Sequence, residues 1–279
     1  QLMPSARRPR DHQGGTAAGA GVRSGWADGQ LEMVRVLDRD PDLGRHLSAQ
    51  ALQQASSAAV APLLRIDEGP TSFLIAEPAS HAHLGLLVLD GLIARHLSFG
   101  QIGASEFYAP GDLLRPWPPR SDTAELREVR WEVLAPTLLA ALDQDFANRV
   151  RPWPEIAAAL LDRAAKRSDS QTLQAALHQA KRIEDRVLLA LWHFAGRWGK
   201  IGPEGRIVRL PNITGELLAR FVGARRQSVS TALGDLADSG ALKRGPNGTV
   251  ILPHEPPQLR RIEPGRRATD RKPRLRRRA

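Results

Sequence analysis

A cluster of polar side chains lies at the start of a short amphipathic segment near the C-terminal end of the sequence. Its members are Arg225, Arg226, Gln227, Ser228, Ser230 and Thr231. Arginine can donate two parallel hydrogen bonds to guanine, and glutamine can pair similarly with adenine. Hydroxyl groups and the backbone N–H groups at a helix start suit phosphate oxygens. These residues are therefore suited to contacting DNA; a solvated arginine patch or a protein-binding surface is the alternative.

The stretch around this cluster, "ITGELLARFVGARRQSVSTALGDLADSGAL", predicts two short helices joined by a sharp turn. Thr214 can cap the first helix through its hydroxyl group. Gly223 tolerates the positive φ that a sharp turn needs. Apolar residues recur three and four positions apart, so each helix has one face to bury. They are Leu217, Leu218, Phe221 and Val222, then Val229, Ala232, Leu233 and Leu236.

A predicted hairpin follows the second helix, in "ALKRGPNGTVIL". Asn247-Gly248 favours a two-residue type I′ turn between its strands. Lys243 and Arg244 on the first strand can contact phosphate. Because a short strand, "IVRLP", also precedes the helices, residues 183–256 are predicted to form a winged helix-turn-helix DNA-binding domain.

This pattern resembles the DNA-binding motif of the CRP/FNR family of bacterial transcription regulators, and the resemblance covers roughly residues 60–255. The matching residues are Thr214, Val222, Gly223, Arg226, Val229 and Ser230, with Ser228 in place of threonine. Gln227 replaces a base-reading glutamate and Thr231 replaces a second arginine. The resemblance therefore implies a dimeric, sequence-specific DNA-binding protein whose operator differs from the common one. The implied partners are double-stranded DNA, a second copy of the chain and RNA polymerase.

A second motif, "GDLLRPWPPRSDTAEL", resembles the phosphate cassette of the cyclic-nucleotide-binding members of the family. Gly111, Asp112 and Leu113 match it approximately, and Arg120-Ser121 lie near the phosphate-binding position. Asp112 is shorter than the family's glutamate, and the nearby carboxylate of Asp122 opposes an anion. A degenerate effector pocket follows from the resemblance. A cyclic nucleotide, another ligand, or no ligand with the domain as a scaffold all stay open, and no cofactor is assigned.

The remaining elements give an α+β organisation. Short apolar runs between about Pro62 and Val133, separated by Gly, Pro and Asp, predict a string of strands, with a tight turn at Asp90-Gly91. With the resemblance, this predicts an N-terminal β-barrel or jelly-roll, a cyclic-nucleotide-binding-like sensor domain over residues 31–152. Residues 1–30 are expected to be a disordered lead.

A long Ala/Leu-rich helix is predicted to connect the two domains, over residues 153–182. Its apolar stripe comprises Ile156, Leu160, Ala164, Leu173, Leu177 and Ala180. Two interpretations stay open for this stripe. It forms the seam of a homodimer, which the resemblance favours, or it packs onto its own β-domain.

The positive charge is concentrated at the C-terminal end. Residues 258–279 contain ten basic and two acidic side chains, which accounts for +8 of the formal net charge of +10. Residues 257–279 are therefore expected to be a basic disordered tail. Two interpretations stay open for it: it contacts phosphates without regard to sequence, or it is a solubilising or incidental extension. A non-specific, nucleoid-type DNA-binding protein driven by this tail is the alternative function.

Other classes of function find little support. The sequence contains no cysteine, which excludes disulfides, thiolate metal sites and cysteine nucleophiles. His81 and His83 could bind a metal or haem, but an exposed pair without a ligand is the simpler interpretation, so no metal site is predicted. No catalytic set of residues can be assembled, and an enzyme is not expected. Without an apolar run long enough to span a bilayer or a signal peptide, the expectation is a cytoplasmic protein with no membrane partner.

Overall fold

The computed structural model describes residues 32–71, 84–100, 102–116, 128–209 and 215–256. The helices are α1 Val36–Arg39, α2 Ala49–Ala58, α3 Gln144–Val150, α4 Pro154–Leu177, α5 Ile183–Trp198, α6 Gly215–Val222 and α7 Arg226–Asp238. The strands are β1 Met33–Arg35, β2 Val60–Ile66, β3 Gly69–Thr71, β4 Gly85–Phe99, β5 Ile102–Tyr108, β6 Leu113–Leu114, β7 Glu128–Leu142, β8 Lys200–Gly202, β9 Gly205–Arg209, β10 Lys243–Arg244 and β11 Thr249–Leu252. None of the helices in these ranges is long and apolar enough to cross a membrane.

The N-terminal domain is built on an antiparallel sheet with the strand order β1-β2-β7-β4-β5; β3 also pairs with β7, and β6 with β4. Its described strands follow an open, jelly-roll-like path, so the barrel alternative in the prediction is replaced by jelly-roll-like sheets. The longest pairing joins β4 to β7, from Gly85 opposite Leu142 to Ser98 opposite Glu128. This domain is called the β-roll below.

The tight turn predicted at Asp90-Gly91 is wrong, because both residues lie inside strand β4. Gly91 has a φ of +95°, and the register between β4 and β7 shifts on either side of it. A Cβ atom at this position would lie 2.3 Å from the Thr137 hydroxyl. The glycine therefore forms an irregularity in a continuous strand, and the same positive φ that suits a turn is used here for a bulge.

The irregularity also exchanges the two faces of β4. Before it, Leu86 and Val88 belong to the core inside the β-roll, and after it Ile93 does. The side chains that point inwards thus change from even-numbered to odd-numbered positions. Leu92, on the opposite face, joins a core shared with the C-terminal domain.

Helix α4 packs onto its own chain with the stripe that the sequence analysis offered as a dimer seam. Ile156 and Leu160 are buried in the core formed with the β-roll, and Leu177 is buried against the C-terminal domain. The helix ends at Leu177, five residues before the predicted end. The homodimer interpretation of these three residues is therefore wrong, and the alternative of intrachain packing holds for them. Ala164 and Leu173, in contrast, are exposed.

The C-terminal domain has the predicted winged helix-turn-helix architecture. Helices α5, α6 and α7 pack on one another, and α5 also packs against β9 of a small antiparallel sheet with the order β10-β11-β9-β8. The hairpin of β10 and β11 is confirmed, with Lys243 opposite Ile251. Its connection is longer than the predicted two-residue turn, because Pro246–Gly248 form a 3-10 turn that Gly245 closes by donating its N–H to the Thr249 carbonyl at 2.8 Å.

Candidate nucleic-acid interface

The turn between α6 and α7 holds the second helix against the first. Gly223 has a φ of +65°, as expected for this position, and the Ala224 N–H donates to the Ala219 carbonyl at 2.9 Å. Phe221 and Val222 immediately before it are buried. The sharp reversal thus follows directly after the anchored end of α6, and it brings the start of α7 to the surface.

Side chains from α4 and α5 hold the carbonyl groups of this turn. The Phe221 carbonyl accepts a hydrogen bond from His178 Nε2 at 2.9 Å, which requires the tautomer protonated at Nε2. Gln174 Nε2 lies 3.4 Å from the same oxygen, and Arg186 Nη1 lies 3.4 Å from the Gly223 carbonyl. Sequence analysis did not find these three residues, because nothing in their spacing relates them to a turn more than thirty residues away.

Helix α7 presents an open N-terminal end. Arg225 is its N-cap residue, no side chain caps the helix, and its first turn contains no acidic residue. The free N–H groups and the positive end of the helix dipole favour an anion at this position. The opposite face is anchored, since Val229, Ala232 and Leu236 are buried.

The structure brings the predicted DNA-contacting residues of α7 together on one surface. Exposed side chains are those of Arg225, Arg226, Gln227, Ser230 and Thr231, and Ser228 is half-buried. The Thr231 hydroxyl donates to the Gln227 carbonyl at 3.2 Å. While this bond is made, Thr231 has no hydroxyl proton to offer a phosphate. Thr214 lies outside the described residues, so the predicted cap of α6 stays a prediction.

The two basic residues of the wing differ in their surroundings. Lys243 Nζ lies 3.0 Å from Glu204 Oε2, and both side chains are more than 60% exposed. An exposed ion pair of this kind contributes little to stability, so the lysine can exchange this partner for a phosphate. Arg244 is exposed.

The turn that resembles a phosphate cassette is engaged within the chain. The Gly111 carbonyl accepts a hydrogen bond from Arg163 Nη1 at 2.8 Å. Asp112 Oδ2 accepts from the Ala109 N–H at 2.9 Å, and Asp112 Oδ1 accepts from Arg197 Nη2 at 2.6 Å. Both carboxylate oxygens therefore already have partners. Leu113 is half-buried at the start of β6.

The other two residues of the predicted effector pocket are not among the residues that the structure describes. Arg120 and Ser121 lie outside the described residues, as do His81 and His83. Gly111 instead lines a cleft of about 300 Å³ on the side of α1 and α4, together with Asp40 and Arg163. Arg163 pairs with Asp40 there, with Nη2 2.7 Å from Oδ1. Neither Arg163 nor Arg197 stands out by spacing, since each is one of two arginines in its helix and nothing in the pattern relates it to the cassette-like turn.

The C-terminal domain matches a known family. Residues 185–262 match the Crp-like helix-turn-helix domain. No significant match is found among curated proteins.

Solved structures with a similar fold cover most of the chain. A cyclic nucleotide-binding domain containing protein from Listeria monocytogenes EGD-e has a TM-score of 0.54 and 16% identity, over 68% of this chain and 88% of that chain. FixK2 from Bradyrhizobium japonicum has a TM-score of 0.53 and 16% identity, over 69% of this chain and 92% of that chain. A CooA mutant from Carboxydothermus hydrogenoformans has a TM-score of 0.52 and 18% identity, over 81% of this chain and 94% of that chain. The chain therefore has the fold of the CRP/FNR regulators, with a cyclic-nucleotide-binding-like domain followed by a Crp-like helix-turn-helix domain.

Proposed function

We propose that the protein is a sequence-specific, DNA-binding transcription regulator of the CRP/FNR type that acts as a homodimer in the cytoplasm. The observation that supports this most directly is the N-terminal end of α7. It combines an uncapped helix start with exposed arginine, glutamine and serine side chains, on a helix whose other face is buried. A recognition helix enters the major groove with such an end towards the base edges.

Arg226 and Gln227 are the proposed base-contacting residues. Both are exposed in the first turn of α7. Arginine suits the two acceptors of guanine, and glutamine suits the donor and acceptor of adenine. The helix thus presents two adjacent side chains that prefer different bases, and these two are called the readers below.

Phosphate contacts are assigned to the residues around these two readers. Arg225, Ser228 and Ser230 border them on α7, and Lys243 and Arg244 extend the basic surface along the wing. Thr231 lies one helical turn further on, with its hydroxyl engaged by the Gln227 carbonyl. These contacts position the protein on the duplex without reading its sequence.

Dimerisation is assigned to the outer face of α4, opposite its buried face. Nine exposed residues on this face carry no charge: Ala157, Ala158, Leu161, Ala164, Ala165, Ser168, Thr172, Ala175 and Ala176. Leu161 is 70% exposed. Within this set the positions 158, 161, 165, 168, 172 and 175 alternate by three and four, which is the spacing of a two-helix seam. A second copy of α4, related by a two-fold axis, covers this face in our proposal.

The proposed dimer predicts a palindromic site with half-sites about one helical turn apart. The test is selection of bound sites from random duplex DNA by the full-length protein. Recovery of a two-fold symmetric motif supports a dimeric, sequence-specific regulator. Recovery of no motif, with binding that is lost at moderate salt, would overturn it in favour of non-specific binding by the basic tail.

A further inference from the structure

The β-roll and the C-terminal winged helix-turn-helix domain, called the winged domain from here on, share a buried aromatic contact. Phe107 of β5 stacks on Phe221 of α6, with 5.6 Å between ring centroids and 21° between ring planes. Phe194 of α5 lies 5.9 Å from Phe107 and 4.8 Å from Phe221. All three rings are at most 3% exposed. One ring from the β-roll thus closes a cluster with two rings from the winged domain.

An ion pair with little solvent exposure lies across the same boundary. Asp112, on the cassette-like turn of the β-roll, is 2.6 Å from Arg197 in the last turn of α5, and the two side chains are 19% and 18% exposed. The guanidinium of Arg197 also lies over the Trp198 ring, 4.5 Å from its centroid. Because the pair has little access to solvent, its geometry is more restricted than that of an exposed pair.

The turn is fixed from the side of the β-roll as well. Asp112 accepts the Ala109 N–H, and Arg163 of α4 donates to the Gly111 carbonyl. Gln174 lies about three helical turns after Arg163 on the same face of α4. It donates to the Ser105 carbonyl of β5 at 2.9 Å and lies near the Phe221 carbonyl. The β-roll, α4 and the winged domain therefore meet in one polar and aromatic junction.

We infer that Asp112 and Arg197 form an interdomain clamp that determines which spacing of half-sites the protein accepts. The clamp fixes the winged domain relative to the β-roll, and the buried face of α4 fixes the β-roll relative to the proposed dimer seam. The separation of the two recognition helices is then set within each protomer. In this chain, the turn that resembles a ligand cassette acts as a positioning element. The part of the inference that concerns spacing rests on the proposed function.

The clamp is tested first without DNA. The chain contains no cysteine, so a pair introduced at the exposed residues Gln53 and Asp238 can be labelled selectively. Distances between the spin labels are measured in the full-length protein, diluted with unlabelled protein to isolate pairs within one chain. We expect one narrow distribution for the wild type and a clearly broader one for Arg197→Gln. An equally narrow distribution in Arg197→Gln overturns the clamp, whatever the protein does with DNA.

Matched variants separate a positioning role from simple loss of stability. Glu32 forms an exposed ion pair with Arg65, at 2.7 Å, and both residues belong to the β-roll. Glu32→Gln removes the charge of this pair and should leave the distance distribution narrow. Asp112→Asn should broaden it, and Arg197→Lys, which keeps the charge, should recover part of the order. Broadening in Glu32→Gln to the same extent would also contradict the inference. Thermal unfolding of each variant confirms that it is folded.

The second test uses DNA with the selected half-sites placed at the preferred spacing or moved by one or two base pairs. Wild type should discriminate between these spacings, and Arg197→Gln should lose at least about fivefold of that discrimination, the lower end of typical coupling between sites. Affinity for a single half-site should be unchanged. Equal loss of affinity on every duplex, including the single half-site, would overturn the spacing role. If no motif can be selected at all, the proposed function fails, while the distance measurement still decides whether the clamp exists.

Discussion

At the N-terminal end of α7, Arg226 and Gln227 combine exposure with donors that can reach a base edge. Arg226 lies close to the start of the preceding helix, since a Cβ atom at Gly215 would be 3.8 Å from its Cγ. The aliphatic part of the side chain thus has a surface to lie on while the guanidinium stays accessible. At the scale of single residues, the proposed base recognition therefore depends on these two adjacent side chains.

Replacing Arg226 by alanine should weaken binding to the selected site by about 1–3 kcal/mol and relax the preference at the contacted position. The reason is the loss of a bidentate contact to one base. Fluorescence anisotropy with the selected duplex and its single-base variants measures both effects.

Arg220→Ala serves as the control. Arg220 is an exposed arginine of α6 that pairs with Glu216 at 2.7 Å and lines the groove between α6 and β7, away from the start of α7. Its removal should leave the motif unchanged. An unchanged motif in Arg226→Ala as well would remove Arg226 from the set of readers.

His193 makes the same region sensitive to acid. Its ring stacks on Phe221 at 6.1 Å, and burial, reinforced by the nearby Arg197, lowers the pKa of His193 to about 4, while Asp112 opposes the shift. The unfolded chain has an ordinary histidine pKa near 6.5. The stability that comes from the neutral ring is therefore complete above about pH 6.5 and is lost as the pH falls towards 4.

His193→Phe should reduce this acid sensitivity, because phenylalanine keeps the ring contact and cannot take up a proton. We expect the Tm of the wild type to decrease between pH 7 and pH 4.5 by more than that of the variant. His46→Gln, at an exposed histidine of the β-roll, should follow the wild type. Parallel curves for wild type and His193→Phe would exclude this explanation.

Among the elements, α4 has one face buried within the chain and an opposite face that we propose contacts a second copy. Ile156, Leu160 and Leu177 are buried within the chain, whereas the opposite face is uncharged and exposed. Periodicity predicted the helix correctly but could not assign its faces, because an apolar stripe has the same spacing whether its partner is the same chain or a second copy. Small residues on the outer face were also a weak signal, since alanine has the highest helix propensity and is favoured in a helix whatever its partner.

Leu161→Glu should convert a dimer of the wild type into a monomer, because it places a charge in the middle of the proposed seam. Light scattering coupled to size-exclusion chromatography measures the mass directly. Lys166→Glu is the matched control: it also introduces a glutamate at an exposed site of α4, but five residues on, about 140° around the helix axis. A dimeric Leu161→Glu, or a monomeric wild type, would contradict the proposed seam.

Across the whole chain, the positive charge is concentrated at the C-terminal end of the sequence. Ten basic and two acidic residues lie between positions 258 and 279, so the rest of the chain is close to neutral. The basic surface of the winged domain is accordingly local. In the proposed function, long-range attraction to DNA therefore comes largely from the C-terminal residues. The proposal thus assigns sequence-specific contacts and non-specific affinity to different parts of the chain.

Removal of residues 257–279 should weaken binding to every duplex by a similar factor and reduce the salt dependence of the affinity, while the selected motif stays the same. Titrations at several salt concentrations give the slope for the full-length and shortened chains. Complete loss of binding by the shortened chain would instead favour the non-specific function.

The winged domain was largely predictable because its signals are local. Gly223, the apolar spacings of α6 and α7 and the basic hairpin all lie within 40 residues, and α6, α7, β9, β10 and β11 lie where their patterns placed them. The short strand β8 and the longer hairpin connection were not predicted. The interdomain contacts were not predictable. Arg197 is 85 positions from Asp112, and neither residue type nor spacing relates them. The bulge at Gly91 was misread because a glycine with positive φ serves turns and bulges alike.

The change of faces at Gly91 lets strand β4 take part in three cores. Its residues contribute to the core under α4, to the interior of the β-roll and to the core shared with the winged domain. The three cores are therefore joined by a single covalent backbone whose register cannot slip in one without slipping in the others. Unfolding of either domain alone would expose one face of a strand that the other domain still needs. The chain should thus unfold as one cooperative unit on heating or in denaturant, although it comprises two domains.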